Sequence, residues 1–266
     1  MMKMLEWALR LTGLYQRGVE NAKNLRCHEI NLSFDNLPEA FEGFTILHLS
    51  DLHLDGMEGL EDRIISLISD KTFDLCVITG DFRTRLHGPF TTVMDKLKTL
   101  ISEVRSAHGV IAVLGNHDGC HMVSAMEDMG IRVLVNENMV IERGDESLQL
   151  IGTDDVHYYY TDLALHSLEP ARNHFTVALI HSPELYESAA DAGVDLYLCG
   201  HTHAGQVCLP GGVAVFRHLH RGREFYRGIW RYKDMIGVTN SGAGTSGIPV
   251  RFYTQGEVGI IQLSKK

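Results

Sequence analysis

Leu75-Cys76-Val77-Ile78-Thr79 runs straight into Gly80-Asp81, and further on Val110-Ile111-Ala112-Val113-Leu114 runs into Gly115-Asn116-His117-Asp118. Each is a short apolar, β-branched run that stops at a glycine and then turns polar, which is how a buried strand ends. Between them, about Thr92–Ala107 has the spacing of an amphipathic helix. A strand, a helix and a second strand form a crossover unit, and such units build parallel sheet. Working outward, Phe44–Leu49 is another strand, ending in Ser50-Asp51-Leu52-His53, and Leu60–Ser69 is a helix. A short helix is expected near His121–Met129. The second half is richer in strands: Ile131–Val135, Met139–Glu142, Leu148–Ile151, Phe175–Ile180, Leu196–Leu198, Ile236–Thr239 and Glu257–Leu263, with a helix at Glu184–Ala192. The first half therefore predicts a mainly parallel sheet and the second half a companion sheet, together an α/β sandwich.

The polar residues at these strand ends share a pattern. Asp51 and His53 follow one strand, Asp81 the next, and Asn116, His117 and Asp118 a third. His181 follows Val177–Ile180, and His201 with His203 follows Leu196–Cys199. Ligands of open α/β sheets bind at the carboxyl ends of strands, so five strand ends deliver Asp, His and Asn to one rim. Unpaired carboxylates gathered there would repel one another unless a cation held them. Imidazoles, carboxylates and an amide oxygen suit Mn, Fe or Zn better than a thiolate-seeking metal. Seven such groups exceed one tetrahedral site and fit two sites that share a carboxylate. Two ions ~3.5–4 Å apart can activate a water and clamp a phosphoryl group. Each motif alone is weak, since Asp-x-His and Gly-Asp are common and a lone His181 is more often a core residue. The ordered series is what carries the reading.

Composition is compatible with this chemistry. The chain has 266 residues, 44% hydrophobic and 22% charged, as an ordinary globular protein does. Its formal net charge of −10, from 24 Lys+Arg against 34 Asp+Glu, argues against a stable nucleic-acid partner. A phosphate substrate is still compatible, because bound cations reverse the local field. Fifteen histidines are an excess that hints at metals. The five cysteines lack CxxC spacing and read as reduced core thiols.

The series Asp51-x-His53, Gly80-Asp81, Gly115-Asn116-His117-Asp118, His181 and Gly200-His201-x-His203 resembles the calcineurin-like metallophosphoesterases, over Ser50–Gly205. That resemblance implies an αββα sandwich of two mixed sheets flanked by helices, with two divalent ions, Mn first and Fe or Zn as alternatives. It implies Asp51, His53, Asp81 and His203 on one ion, and Asp81, Asn116, His181 and His201 on the other, with Asp81 bridging. His117 would be the catalytic histidine, contacting phosphate or protonating the leaving oxygen, and Asp118 would orient it by a hydrogen bond. Metal-activated hydroxide would then attack phosphorus in line.

Further stretches look like the bacterial YkuE/YaeI-type branch: Gly200–Gln206, Tyr226-Arg227-Gly228, Asn240–Phe252, Asn36-Leu37-Pro38 and Phe41-Glu42-Gly43. Members of that branch are phosphodiesterases, and the branch is similar to an alternative UDP-2,3-diacylglucosamine pyrophosphatase of lipid A synthesis. One departure stands out. Where family members often carry another acid after Gly-Asp, this chain has Asp81-Phe82-Arg83-Thr84-Arg85, and Arg83 or Arg85 is expected to grip a second phosphate or a uridine diphosphate. Tyr158-Tyr159-Tyr160 and Phe225-Tyr226 are candidates to line a substrate groove. The competing readings are a non-catalytic metal-binding scaffold, a phosphomonoesterase and a protein Ser/Thr phosphatase. Scaffolds of this kind lose ligands or the catalytic histidine, and the phosphatases carry arginine-bearing motifs not found here.

Residues 1–28 read as an N-terminal segment whose amphipathic helix spans 1–24, and residues 29–266 as the main domain. Met4, Trp7, Ala8, Leu11, Leu14 and Tyr15 form a stripe with Lys3, Arg10 and Arg17 grouped elsewhere. Such a helix packs on its own domain or rests on a bilayer surface. Without a signal peptide, a twin-arginine signal or a run of ~20 apolar residues, a cytoplasmic protein is expected. The helix allows contact with the inner membrane face, and the substrate would be a small or lipid-linked phosphate.

Overall fold

The computed structural model describes residues 2–159, 161–169 and 174–266; Tyr160 of the aromatic triplet lies outside them. Two short helices, α1 (Met2–Leu11) and α2 (Leu14–Lys23), precede β1 (Arg26–Phe34) and β2 (Thr45–Leu49). Then come α3 (Leu60–Ile68), β3 (Leu75–Thr79), α4 (Thr91–Ser102), β4 (Val110–Val113), α5 (Val123–Glu127) and β5 (Ile131–Val133). The hairpin β6 (Glu137–Arg143) and β7 (Glu146–Gly152) leads through α6 (Asp162–His166) to β8 (Phe175–Leu179), α7 (Tyr186–Ala192) and β9 (Leu196–Cys199). The chain closes with the small ribbon β10 (Cys208–Leu209) and β11 (Val213–Ala214), then β12 (Gly228–Tyr232), β13 (Met235–Thr239) and β14 (Glu257–Lys265).

Two six-stranded mixed sheets result, ordered β1-β14-β2-β3-β4-β5 and β12-β13-β9-β8-β7-β6. In the first, only the β14–β2 pair is antiparallel. In the second, the outer pairs β12–β13 and β6–β7 are antiparallel and the inner ones parallel. The period of two along each strand divides its side chains between layers. From β3, Leu75 and Val77 enter the core between the sheets, where Ile111, Val177, Leu179, Leu198 and Val238 meet them. Cys76 and Ile78 point the other way, beneath Ile64 of α3 and Leu97 of α4. Ile151, Ala178 and Tyr197 do the same on the far side, under α6 and α7. Helix, sheet, sheet and helix are the four layers expected.

Several expectations need correction. The single N-terminal helix is two, because Gly13 adopts φ 72° and breaks the hydrogen-bond run. Residues 26–28 are not part of that segment but open β1, which pairs in parallel with β14 from Arg26↔Glu257 onward. The helix expected to reach Ala107 ends at Ser102, because the backbone beyond it is taken by the chain entering β3. There Phe73 N donates to the Arg105 carbonyl and Ala107 N to that of Phe73. The helix expected from Glu184 begins as a 3-10 turn over Pro183–Leu185 before α7.

The inward face of the N-terminal helices also differs from the expected stripe. Leu9 packs with Ile248 and Val250, flanked by Leu5, Tyr15 and Val19. Trp7, Leu11 and Leu14, half of that stripe, are 68%, 71% and 41% exposed. Gly18 makes the docking possible, since a Cβ there would lie 2.7 Å from the Phe252 ring.

Candidate metal centre

The seven expected ligands converge on one rim, all buried. Asp51 and His53 follow β2, Asp81 follows β3, Asn116 follows β4, His181 follows β8, and His201 and His203 follow β9. Two clusters form: Asp51 with His53 and His203, and Asp81 with His181 and His201. Five of these residues hold left-handed backbone, namely Asp51 (φ 49°), His53 (41°), Asp81 (58°), His201 (70°) and His203 (50°). Side chains other than glycine resist that region at a cost on the order of 1 kcal/mol or more each. The rim therefore holds strain that packing must sustain. Glycines let the strand ends close up: a Cβ at Gly200 would overlap the Ser50 and Asp51 side chains, and one at Gly115 would overlap the Asp81 carboxylate.

Backbone carbonyls set which nitrogen three of the four rim imidazoles present. A carbonyl only accepts, so the nitrogen facing it carries the proton. His53 Nδ1 donates to the Arg83 carbonyl at 2.8 Å, leaving Nε2 for the centre. His181 Nδ1 donates to the Thr79 carbonyl at 2.7 Å, again freeing Nε2. His201 is reversed: Nε2 donates to the His218 carbonyl at 2.9 Å, and Nδ1 faces inward.

The freed atoms crowd in a way that suits a cation. His53 Nε2 lies 3.2 Å from His203 Nε2, and His181 Nε2 lies 3.2 Å from His201 Nδ1. Where both nitrogens of such a pair present lone pairs, they repel unless an ion stands between them. Asn116 Oδ1 is 2.8 Å from His201 Nδ1 and 3.1 Å from His181 Nε2. Asp81 Oδ2 is 3.5 Å from both His53 Nε2 and His181 Nε2, one oxygen facing both clusters. Asp51 Oδ1 is buried without a hydrogen-bond partner, an unmet acceptor that a cation would satisfy. Burial drives His53 and His201 down to about 4 and 3, the neutral form a metal requires. Burial alone would raise Asp81, but His181 and His53 beside it hold it well below the ordinary carboxylate range. The residues fit two divalent ions bridged by Asp81.

Residues 44–205 match the model of the calcineurin-like phosphoesterases. The chain belongs to this family. As a metallophosphoesterase it is a metal-dependent phosphoester hydrolase. It is 27% identical to the metallophosphoesterase YkoQ of Bacillus subtilis (strain 168), over 91% of this chain and 92% of YkoQ. It is also 27% identical to YkuE of the same organism, over 85% of this chain and 81% of YkuE. Among solved structures, TT1561 of Thermus thermophilus superposes with a TM-score of 0.51 at 12% identity, covering 76% of this chain and 90% of that one, and so shares the fold.

The metallophosphoesterase departs from expectation at three residues beside the rim. Asp118 does not reach His117. Its carboxylate accepts from the backbone N–H groups of Asp81 (2.7 Å), Gly115 (2.9 Å) and Phe82 (3.0 Å), clamping two strand-end loops together. His117 is oriented instead by the Thr84 carbonyl, to which its Nδ1 donates at 2.7 Å, and its backbone N–H donates to Asp81 Oδ1 at 2.8 Å. Arg83 is 1% exposed and donates to the Gly88 carbonyl, so its guanidinium props the loop it sits on. Arg85 is exposed with its backbone on Asp55, and neither arginine lines the cavity over the rim.

That cavity has a volume of about 420 Å³. Its floor is Asp81, Asn116, His117, His201 and His203, and its wall includes Leu5, Val207, Val215, Phe216, Ile248 and Tyr158. Of the expected aromatics, Tyr158 does line the groove. Phe225 stacks on Trp230 at 4.4 Å, and Tyr226 receives the Arg217 guanidinium. Sequence reading gave no role to Arg251, which is wholly buried. It donates to the His203, Ser241, Gly242 and Gly244 carbonyls and so ties the His203 turn to the loop after β13. The signal available was an arginine inside an otherwise apolar Ile248–Phe252 run.

Proposed function

We propose that this metallophosphoesterase cleaves a phosphodiester or pyrophosphate bond in a substrate with an apolar portion, a nucleotide-linked lipid such as UDP-2,3-diacylglucosamine of lipid A synthesis. The observation that carries the reading is the cavity, whose floor is the polar rim and whose wall is Leu5, Val207, Val215, Phe216 and Ile248. A phosphoryl group on the floor leaves any acyl chain against that wall, where each buried methylene gains about 0.8 kcal/mol.

The seven rim residues would hold two divalent ions, with manganese our choice for this N/O set and iron or zinc the alternatives. Bound there, the ions supply Lewis acidity and an activated water. The protein's own groups do the rest. With Nδ1 fixed on Thr84, His117 has Nε2 free at the cavity floor, placed to bond a phosphoryl oxygen or hand a proton to the leaving oxygen. Asp118 keeps the Asp81 and Gly115 loops in register beneath it.

The exposed Trp7, Leu11 and Leu14 on α1 and α2 support peripheral contact with a lipid surface, with Leu5 of the same helix on the cavity wall. Among the described residues no helix is long and apolar enough to cross a membrane. The test is manganese-dependent hydrolysis of a generic phosphodiester, a phosphomonoester and UDP-diacylglucosamine, with His117→Ala as control. Release of UMP from the nucleotide lipid at the highest kcat/KM supports the reading. Preference for the monoester removes the diesterase assignment, and turnover of the generic diester alone removes the lipid.

A further inference from the structure

A third group of potential ligands lies beside the dinuclear centre. His157, Glu184 and His220 each offer one ligand atom, and these atoms lie within 4.8 Å of one another. They come from three separate segments: the loop after β7, the turn after β8 and the loop between β11 and β12. The two imidazoles stack at 4.8 Å with planes 19° apart. That nearly repeats His53 and His203, at 5.1 Å and 23°, which share one cluster of the metal rim. We propose that His157, Glu184 and His220 form a third, single-ion site for a divalent cation of the zinc type.

The donor set is two imidazole nitrogens and one carboxylate oxygen, which zinc accepts with a water completing the shell. Room for that water exists, since Glu184 and His220 line a cavity of about 300 Å³. Glu184 is held in place for the task. Its Oε1 accepts from the backbone N–H of His220 at 2.6 Å, and its Oε2 accepts from Ser182 Oγ at 3.1 Å and faces His157 Nδ1 at 2.7 Å. Burial would raise this carboxyl, but His157 and the His220 N–H bring it down to about 2, so it is an anion. The His157 ring is confined between His201 at 4.3 Å and Tyr158 at 4.5 Å. A hydrogen-bonded His157–Glu184 pair would need only two of the three residues. The ion accounts for the third, which approaches with its ring parallel as in the dinuclear rim.

The site has a consequence for the first centre. An ion here fastens His220 to Glu184, and two residues earlier the His218 carbonyl receives the proton of His201 Nε2. Filling the third site steadies the loop that fixes which nitrogen His201 presents. It acts as a positioning site for the dinuclear centre, reached through His201 from the edge of the cavity that His157 also lines.

The test is a count of bound metal and does not depend on turnover. Wild type, His220→Ala and Glu184→Gln are brought to equilibrium by dialysis against micromolar zinc, and zinc per chain is measured by mass spectrometry. Wild type is expected to hold three ions per chain and each variant two. Asp81→Ala, which empties the dinuclear rim, is expected to keep one. The exposed His220 can be removed without opening the core, so that variant carries the test if Glu184→Gln fails to fold. A wild-type count of two, or an unchanged count in His220→Ala, overturns the proposal. Failure of the phosphoesterase reading would leave these counts as they are.

Discussion

The floor and the wall of the 420 Å³ cavity are built by opposite rules. On the floor, every metal-rim side chain issues from a strand end, none is more than 8% exposed, and five sit on strained left-handed backbone. On the wall, Val215, Phe216 and Tyr158 are 47%, 42% and 65% exposed and belong to connecting segments, while Leu5 comes from a helix at the far end of the chain. Binding two cations tolerates little error in position, and these side chains are set on buried backbone at strand ends, three of the four imidazoles held by a backbone carbonyl. Choosing what is attached to the phosphate requires only shape and apolar area, which loops can supply and vary. The comparison predicts that floor substitutions act on rate and metal, wall substitutions on KM, and outermost ones on neither.

The largest effect is expected at Asp81. Its Oδ2 faces both clusters while its Oδ1 holds the His117 backbone N–H, so Asp81→Ala removes a shared ligand and a catalytic support together. Activity should fall by at least about 10⁴-fold, as for residues that act as a unit. Both rim ions should be lost in the same metal assay. Two retained rim ions would remove Asp81 from the bridging position. His117→Ala should act on rate alone, lowering kcat by about 10²–10⁴-fold with both rim ions still bound. An undiminished kcat would exclude Nε2 from the reaction.

One support of the floor can be tested through pH. Glu257 on β14 accepts from Ser241 N–H at 2.8 Å and from the Arg26 guanidinium, beneath the loop whose Ala243 and Gly244 N–H groups bond the Ser50 and Asp51 carbonyls. Burial would raise its pKa, yet His28, Ser241 and Arg26 bring it from 4.5 to about 2. A depressed carboxyl stabilises the fold above its unfolded pKa and loses that contribution as pH falls towards its folded one. Glu257→Gln should therefore cost about 3 kcal/mol near neutral pH. The gap from wild type in denaturant melts should narrow as pH drops below 4.5 towards 2. A gap that stays constant with pH would mean the carboxylate charge contributes nothing.

How much of this was legible follows the same division. Leu75–Thr79 was read to the residue, and the seven residues that meet at the rim stood out because each lies within a few residues of an apolar run that ends abruptly. His157 obeys the same logic after β7 but lies five residues past Gly152, behind Thr153, Asp154 and Asp155, and was passed over. The Arg26–Phe34 strand was missed although Ile30, Leu32 and Phe34 alternate, because its partner is β14 at the other end of the chain. Arg83 misled for a physical reason. An arginine in a polar loop predicts solvent or phosphate, and here the loop folds over it and leaves it buried. On the wall only Tyr158 stood out, as part of an aromatic triplet; Leu5, Val207, Val215, Phe216 and Ile248 share no spacing that would gather them.

Wall substitutions should move KM. Phe216→Ala removes an aromatic face from the cavity mouth, and the loss of part of its buried area predicts a rise in KM of roughly 10-fold for a substrate with an acyl or aryl group. kcat should hold within about 2-fold, because uniform binding is what is lost. The same variant should treat a small phosphodiester like wild type, and equal KM changes for both substrates would mean that Phe216 shapes the floor.

The smallest effect on chemistry is expected outermost. Trp7 and Leu11 are exposed on α1 while Leu9 of the same helix is packed on Ile248 and Val250, so the helix is docked by one face and leaves a second apolar face open. Trp7→Ser with Leu11→Ser removes that open face without touching the buried one, so stability and hydrolysis of a small diester should stay within about 0.5 kcal/mol and 2-fold of wild type. Binding to anionic vesicles, read by co-sedimentation, should drop, since interfacial helices hold by buried apolar area. If vesicle binding survives the double substitution, Trp7 and Leu11 do not hold the protein on the bilayer, and the cavity wall alone would have to draw the lipid in.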